Sequence, residues 1–319
     1  MYFNILLVGA GQLGSRYLQG LSATNSFLNI TVIEPDKKAI EVAQNRWLEV
    51  NDSVTKQVIT FNKKIPSDLF FVDLVIIATS SKGRAKLISD ISSKIKCRFW
   101  ILEKVVAQSL QDLDLIKDSV ASSEGVWVNT PRRLMQWHQN IRSFVNDKCP
   151  IKVIFSGNDW GLACNSIHFI DLVSWWTGEY LTSIDSSGLN DDWFESKRKG
   201  YFEVTGKLIA HFSRGSLLNL VQSENLEKSI ITIVTSDNIT WVIDEFLGIA
   251  QSSTGEQICG QLEYQSKLTT SLVDHILTHG SCNLPTFEES SEMHSIFLRE
   301  LLVNWNKFYN TKDSKLPIT

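Results

Sequence analysis

Cysteine is scarce in this 319-residue chain and shows no pairing pattern. The five are Cys97, Cys149, Cys164, Cys259 and Cys282. An odd number without a CxxC pair signals neither a zinc site nor a complete disulfide framework, and such usage fits a reducing compartment. Histidine gives no better case for a metal, because His138, His275 and His294 fall without ligand spacing. Long apolar runs are also missing: the greasiest, Phe70 to Ala78, is interrupted by Asp73 and falls short of a membrane span. Neither charge sign is concentrated. The net charge is −4, and basic residues come in pairs such as Lys37-Lys38 and Arg132-Arg133. That pattern gives no general attraction to nucleic acid or to an anionic membrane surface. There is no internal repeat, low-complexity tract or long linker. A strand expected to open at residue 3 points away from a basic n-region and an apolar leader, and no leader is expected. The expectation is a cytoplasmic protein with no metal and no nucleic-acid or membrane partner.

What the chain does have is hydrophobic mass, 43% of residues. Its length suggests two domains. The most informative stretch is Gly9-Ala10-Gly11-Gln12-Leu13-Gly14, preceded by the apolar segment Phe3 to Val8 and followed by a helical pattern. Gly9 permits a tight turn, Gly11 lets the backbone approach a pyrophosphate, and Gly14 lets the following helix pack against the strand. The phosphate then meets unpaired N–H groups at the helix start. A second strand, Ile30 to Ile33, ends in Glu34, twenty positions after Gly14. A carboxylate there accepts hydrogen bonds from an adenosine ribose diol and repels a 2′-phosphate, which points to NAD. Lys37 and Lys38 keep NADP open.

Apolar strands alternate with helical patterns as far as residue 130: strands at 3–8, 30–34, 57–61, 73–78, 98–103 and 126–129, helices at 13–23, 36–49, 82–94 and 109–122. This is the pattern of a doubly wound parallel α/β sheet, a Rossmann domain over residues 1–130. Beyond Pro131 the character changes. Arg133 to Asn146 reads as a connecting helix and 151–156 as the first strand of a new unit. From Leu181 to Leu262 successive β-rich runs argue for a mostly antiparallel open sheet. Helices near 164–177, 265–279 and 289–309 are expected to flank it, giving an α+β domain over 131–319. An open sheet leaves one face to cover, so a homodimer or homotetramer is expected.

With these residues in view, the chain resembles the Gfo/Idh/MocA family of nicotinamide-dependent oxidoreductases over nearly its whole length. Besides the glycine turn and Glu34, Ala78-Thr79-Ser80-Ser81 is similar to the family's cofactor-contacting turn. Leu102-Glu103-Lys104-Val105 is similar to its Glu-Lys-Pro motif, with Lys104 matching the active-site lysine and Val105 standing where proline is usual. Gly161 to Leu172 is similar to the helix that carries an Asp and, four residues on, a catalytic His; His168 matches the His and Cys164 takes the Asp position. Leu284 to Ser290 resembles the family's lead into its final helix.

The resemblance implies an NAD(P)-dependent enzyme moving a hydride between nicotinamide and a hydroxyl or keto group of a sugar, polyol or sugar derivative, in an uncommon branch such as one making sugars for surface polysaccharides. Lys104 and His168 are then the catalytic pair. Gly9, Gly11, Gln12, Leu13, Gly14, Glu34, Thr79, Ser80 and Glu103 hold the cofactor, and Arg133, Trp160, Cys164 and Asn165 meet the carbohydrate-like substrate. Hydride transfer from a carbinol carbon requires a proton to leave its oxygen. An ammonium at a strand's carboxyl end and an imidazole that titrates near neutrality suit that task. Without the Asp, three arrangements stand open: Asn165 or the substrate orients the His168 ring, Lys104 carries more of the work, or turnover is weak. A cofactor-binding regulatory or scaffold protein that lost turnover is the alternative. Asp171 is read as pairing within the second domain.

Overall fold

A computed structural model describes residues 2–50, 56–145 and 149–319. The elements run β1 (Phe3–Val8), α1 (Gln12–Ser22), β2 (Leu28–Ile33), α2 (Lys37–Glu49), β3 (Val58–Asn62), β4 (Phe71–Ile77), α3 (Arg84–Ser92), β5 (Lys96–Glu103), α4 (Leu110–Val120) and β6 (Gly125–Asn129). A 3-10 turn at Pro131–Leu134 leads to α5 (Gln136–Arg142), β7 (Lys152–Gly157), α6 (Leu162–Thr177), β8 (Leu181–Glu195), β9 (Phe202–Phe212), β10 (Leu217–Gln222), β11 (Ile230–Val234), β12 (Thr240–Asp244), β13 (Ile249–Ser252), β14 (Gln257–Cys259), α7 (Gln265–His279) and α8 (Phe287–Tyr309).

Six strands form one sheet in the order β3-β2-β1-β4-β5-β6, every neighbour parallel. This is the doubly wound Rossmann order, whose direction reverses between β1 and β4. Strands of such a sheet are buried on both faces, hence the near-continuous apolar runs Ile5–Val8 and Leu74–Ile77, all buried. Asp36 caps α2 by accepting the Lys38 N–H at 2.9 Å.

The chain divides into two compact units. The first holds residues 1–106, 112–131 and 263–287, and the second holds 107–111, 132–262 and 288–319. The expected cut at 130/131 is thus crossed again, and α7, expected to flank the antiparallel sheet, belongs with the parallel one. The reason is close packing of α7 on α1. A Cβ on Gly20 would sit 2.4 Å from the Ser266 carbonyl oxygen, and Thr270 Oγ1 donates to the Gly20 carbonyl at 2.9 Å. Asp274 also accepts the backbone N–H groups of Asn25 and Ser26 at 2.8 and 3.0 Å. The helical pattern near 265–279 did not say which sheet would receive the helix.

The second unit carries an eight-stranded sheet in the order β14-β13-β12-β11-β7-β10-β9-β8. It is antiparallel throughout except between β7 and β10. Val153, Phe155, Leu218, Leu220, Ile231 and Ile233 alternate inward, while Ile154, Val221 and Ile230 face the other side. β8 absorbs Gly188 and the acidic run Asp191-Asp192 through three register shifts against β9, which is how residues poor at strand formation stay in a long strand. The single helix read over 133–146 is instead a 3-10 turn and α5, separated by Met135 in extended conformation; Asn146 itself lies outside the described residues. Among the described residues no helix is long and apolar enough to cross a membrane, and no cluster of three or more His, Cys, Asp or Glu side chains could hold a metal ion.

Candidate active site

In the first unit the turn after β1 meets the turn after β4 at the point where strand order reverses. Gly9 has φ +91°, and a Cβ there would lie 3.0 Å from the Ala78 carbonyl carbon. A Cβ on Gly14 would lie 1.9 Å from the Gly9 oxygen, whereas one on Gly11 meets nothing within 4 Å. Gly9 and Gly14 therefore serve the backbone, and Gly11 faces open space. α1 starts at Gly11 with no side-chain cap and no acid in its first turn. Gln12 and Leu13 are exposed there. Arg46 adds positive charge beside this helix start, donating to Gln12 Oε1 at 2.7 Å and Ser15 Oγ at 2.5 Å. Glu34 accepts the Ala10 N–H at 2.8 Å and the Asp36 N–H at 2.9 Å, which brings its carboxylate to the rim of the glycine turn. Uncapped N–H groups, a cation and a rim carboxylate fit a dinucleotide's pyrophosphate and ribose.

Thr79 and Ser80 are half-buried in the turn after β4. The turn after β5 is more tightly enclosed: from Phe99 to Ser109, Lys104 alone is not buried. The Lys104–Val105 peptide bond is cis although residue 105 is not proline. Glu103 turns inward. Its Oε1 accepts from Tyr17 Oη at 2.6 Å and from Asn129 Nδ2 at 2.7 Å, and burial pushes its carboxyl above the usual range despite those donors and the nearby Arg84. Expected against the cofactor, it instead ties β5 to α1 and β6.

The second unit presents His168 on α6. Most of that helix is buried, Leu162 to Cys164 and Phe169 to Val173 included, while Asn165 and His168 are half-buried one turn apart. Gly161 begins the helix at φ +77°. Glu203 on β9 caps it, accepting the N–H groups of Ala163 and Cys164 at 2.7 and 3.3 Å. Asn165 Nδ2 donates to the Trp160 carbonyl at 2.6 Å. The Trp160 indole, expected to offer a stacking surface to a sugar, donates to the Val221 carbonyl at 3.0 Å and packs edge-on against Phe155 and Phe169. Arg133, expected to meet substrate, makes a buried bidentate pair with Asp171. It also lines a cavity of about 340 Å³ with Arg142, Trp175, Tyr180 and Glu292, and His168 does not line it.

Three residues escaped the sequence reading: Arg46, Glu203 and Arg84. Arg84 carried a usable signal, since a cation in a helix's first turn opposes the dipole and demands another explanation. Glu203 carried no comparable signal, because the helix turn it caps lies 40 residues earlier in the chain.

No family model matches this chain, and no curated protein matches it by sequence. Solved structures do. An apo scyllo-inositol dehydrogenase from Lactobacillus casei is 16% identical, with a TM-score of 0.65 over 97% of both chains. A myo-inositol dehydrogenase from the same organism, in complex with NAD(H) and myo-inositol, is 14% identical with a TM-score of 0.64, covering 94% of this chain and 93% of that one. The chain shares its fold with these dehydrogenases. An oxidoreductase from Agrobacterium radiobacter in complex with NAD+, L-tartaric acid and magnesium shares it at 14% identity and a TM-score of 0.68, over 96% of this chain and 97% of that one. At such identities the Gfo/Idh/MocA likeness establishes architecture, and chemistry must be argued from side chains.

Proposed function

We propose that this protein is an NAD-dependent oxidoreductase that interconverts a hydroxyl and a keto group on a sugar, polyol or sugar derivative. The observation that carries the reading is Lys104, the one half-exposed side chain in the buried run that closes β5, at the sheet edge where doubly wound folds bind ligands. Bound nicotinamide supplies or accepts the hydride. The Lys104 ammonium hydrogen-bonds the reacting oxygen and stabilises developing alkoxide, and the His168 imidazole holds or releases its proton. Glu34 favours NAD over NADP, and NADP remains the second cofactor to test. Asn165, one turn from His168, offers its side-chain oxygen to the substrate.

A dehydrogenase of this fold in complex with NAD(H) and myo-inositol supports the substrate class. A role in sugar supply for surface polysaccharide is the finer reading. The outer face of the antiparallel sheet, with Ile154, Val221 and Ile230, supports pairing into a homodimer or homotetramer in the cytoplasm.

The test is NADH binding by fluorescence together with absorbance at 340 nm, using NAD+ and a panel that starts with myo-inositol. Binding with turnover, abolished by Lys104→Ala, is expected. Binding with no turnover on any polyol or nucleotide sugar would replace the enzyme by a cofactor-sensing regulator, and no binding would end both readings.

A further inference from the structure

Arg84 is 1% exposed, among the most deeply buried charged side chains of the molecule. Burying a guanidinium is costly unless hydrogen bonds compensate for the water it loses. It opens α3, where the helix dipole opposes a cation, so helix stability does not account for it. Its hydrogen bonds do. Nη1 donates to the carbonyl oxygens of Glu103 and Val105 and, at 3.2 Å, of Val106; Nη2 donates to that of Thr79.

These acceptors lie at the ends of two strands. Thr79 is in the turn after β4, and Glu103, Val105 and Val106 surround Lys104 in the turn after β5. One planar fork therefore grips the backbone on both sides of Lys104 and fixes it to the β4 turn. A proline ring would restrain residue 105 locally; Val105 has none, and the guanidinium supplies restraint through space.

We propose that Arg84 is a positioning residue that sets the aim of the Lys104 ammonium relative to the cofactor-binding turn at Thr79. This rests on the reading of Lys104 and Thr79 given above. Lysine cannot replace it, because one ammonium lacks the planar fork that reaches four carbonyls. A displacement of about 1 Å at a reacting group lowers turnover by about a hundredfold.

The experiment follows Lys104 without a substrate. Trace acylation with acetic anhydride, read by mass spectrometry, measures how fast Lys104 reacts with and without NADH, with exposed Lys312 as internal reference. In the unaltered protein NADH slows labelling of Lys104. In Arg84→Gln, NADH still binds within about threefold of its original Kd, a small change on the affinity scale, and the protection of Lys104 is lost. Should Arg84→Gln not fold, Arg84→Ala is measured with ethylguanidinium filling the vacated space, and protection returns as the ion is added.

Protection that persists in a folded, NADH-binding Arg84→Gln overturns the proposal. So does an NADH affinity that falls more than about tenfold, which would make Arg84 part of the cofactor turn alone. A variant that stays unfolded at every ethylguanidinium concentration reduces Arg84 to a stability role, likewise against it. An unaltered protein that fails to bind NADH, or binds it without protecting Lys104, overturns the functional reading first, and is told apart because Arg84 is intact.

Discussion

The backbone N–H of Thr319 lies 3.5 Å from the Sγ of Cys164. Leu316 and Ile318, fully buried beside it, anchor the segment, and Phe202 N–H donates to the Pro317 carbonyl at 2.9 Å. The position where the family resemblance expects an Asp is thus packed against the segment 316–319, with the Glu203 carboxylate already capping the same helix turn. Cys164→Asp should therefore fail to restore a catalytic dyad. It brings a second carboxylate beside Glu203 in a buried space, and like charges raise each other's pKa. A raised pKa means that the folded state holds the proton more tightly, so the variant's stability falls as pH rises from the carboxylate range toward neutrality. A loss of about 3–5 kcal/mol at pH 7 is expected, the range for an uncompensated buried charge. Thermal melts at several pH values check it; a Cys164→Asp protein as stable as the parent at pH 7, with faster turnover, refutes it.

Gly11 and Gly14 separate binding from folding. Gly11→Ala meets no atom within 4 Å and keeps φ at −64°, so the melting temperature should hold while NADH affinity falls about tenfold or more, the methyl group standing where the pyrophosphate approaches. Gly14→Ala drives a Cβ to 1.9 Å from the Gly9 oxygen. It should cost about 1–3 kcal/mol or more of stability. Denaturant midpoints and fluorescence titrations of both variants decide the matter, and equal behaviour of the two would remove Gly11 from the binding site.

Arg133 and Asp171 are a structural pair, with Nε to Oδ2 at 2.9 Å and both side chains buried. Asp171→Asn strands a guanidinium and should cost about 3–5 kcal/mol, whereas the double change Arg133→Met with Asp171→Leu should recover most of that loss. Urea unfolding of Arg133→Met, Asp171→Leu and the double variant measures the coupling. Additive losses would show that the two groups do not act together.

Glu245 is flanked by Arg132, bidentate at 2.8 Å, and by His138 Nε2 at 2.8 Å. Burial alone would raise its carboxyl, but the guanidinium and the histidine prevail and hold it well below the usual range. A depressed folded pKa contributes stability that is present above the unfolded value, near 4.3, and is lost as pH falls below it. Glu245→Gln should cost about 3 kcal/mol at pH 7 and flatten the acid limb. Urea midpoints between pH 7 and pH 3 report it; an unchanged acid limb would show that other carboxylates govern that range.

Much of the first unit was legible in order along the chain. Phe3 to Val8, the three glycines and Glu34 lie close in sequence, and a strand-turn-helix unit forms from neighbours, so pattern and chemistry coincide. The Ala78 turn and Lys104 entered through the family resemblance, and the structure puts them directly after the apolar strands β4 and β5. Glu103, Trp160 and Arg133 were readable as residue types but not as directions, because whether a polar side chain points at a ligand or at a partner depends on segments far away. Tyr17 and Asn129 turned Glu103 inward, Val221 took the Trp160 indole, and Asp171 took Arg133.

The sequence by itself determined the parallel sheet, its glycine turn, the β-rich second unit and the identities of the polar groups at each strand end, because periodicity and turn chemistry are local. Only the tertiary structure decided that α7 joins the first sheet, that Glu203 caps the α6 start, and that Arg84 links the turn at Thr79 to the one at Lys104. Those outcomes rest on burial and on the need to satisfy buried donors and acceptors, a condition set by all the segments that meet in one place.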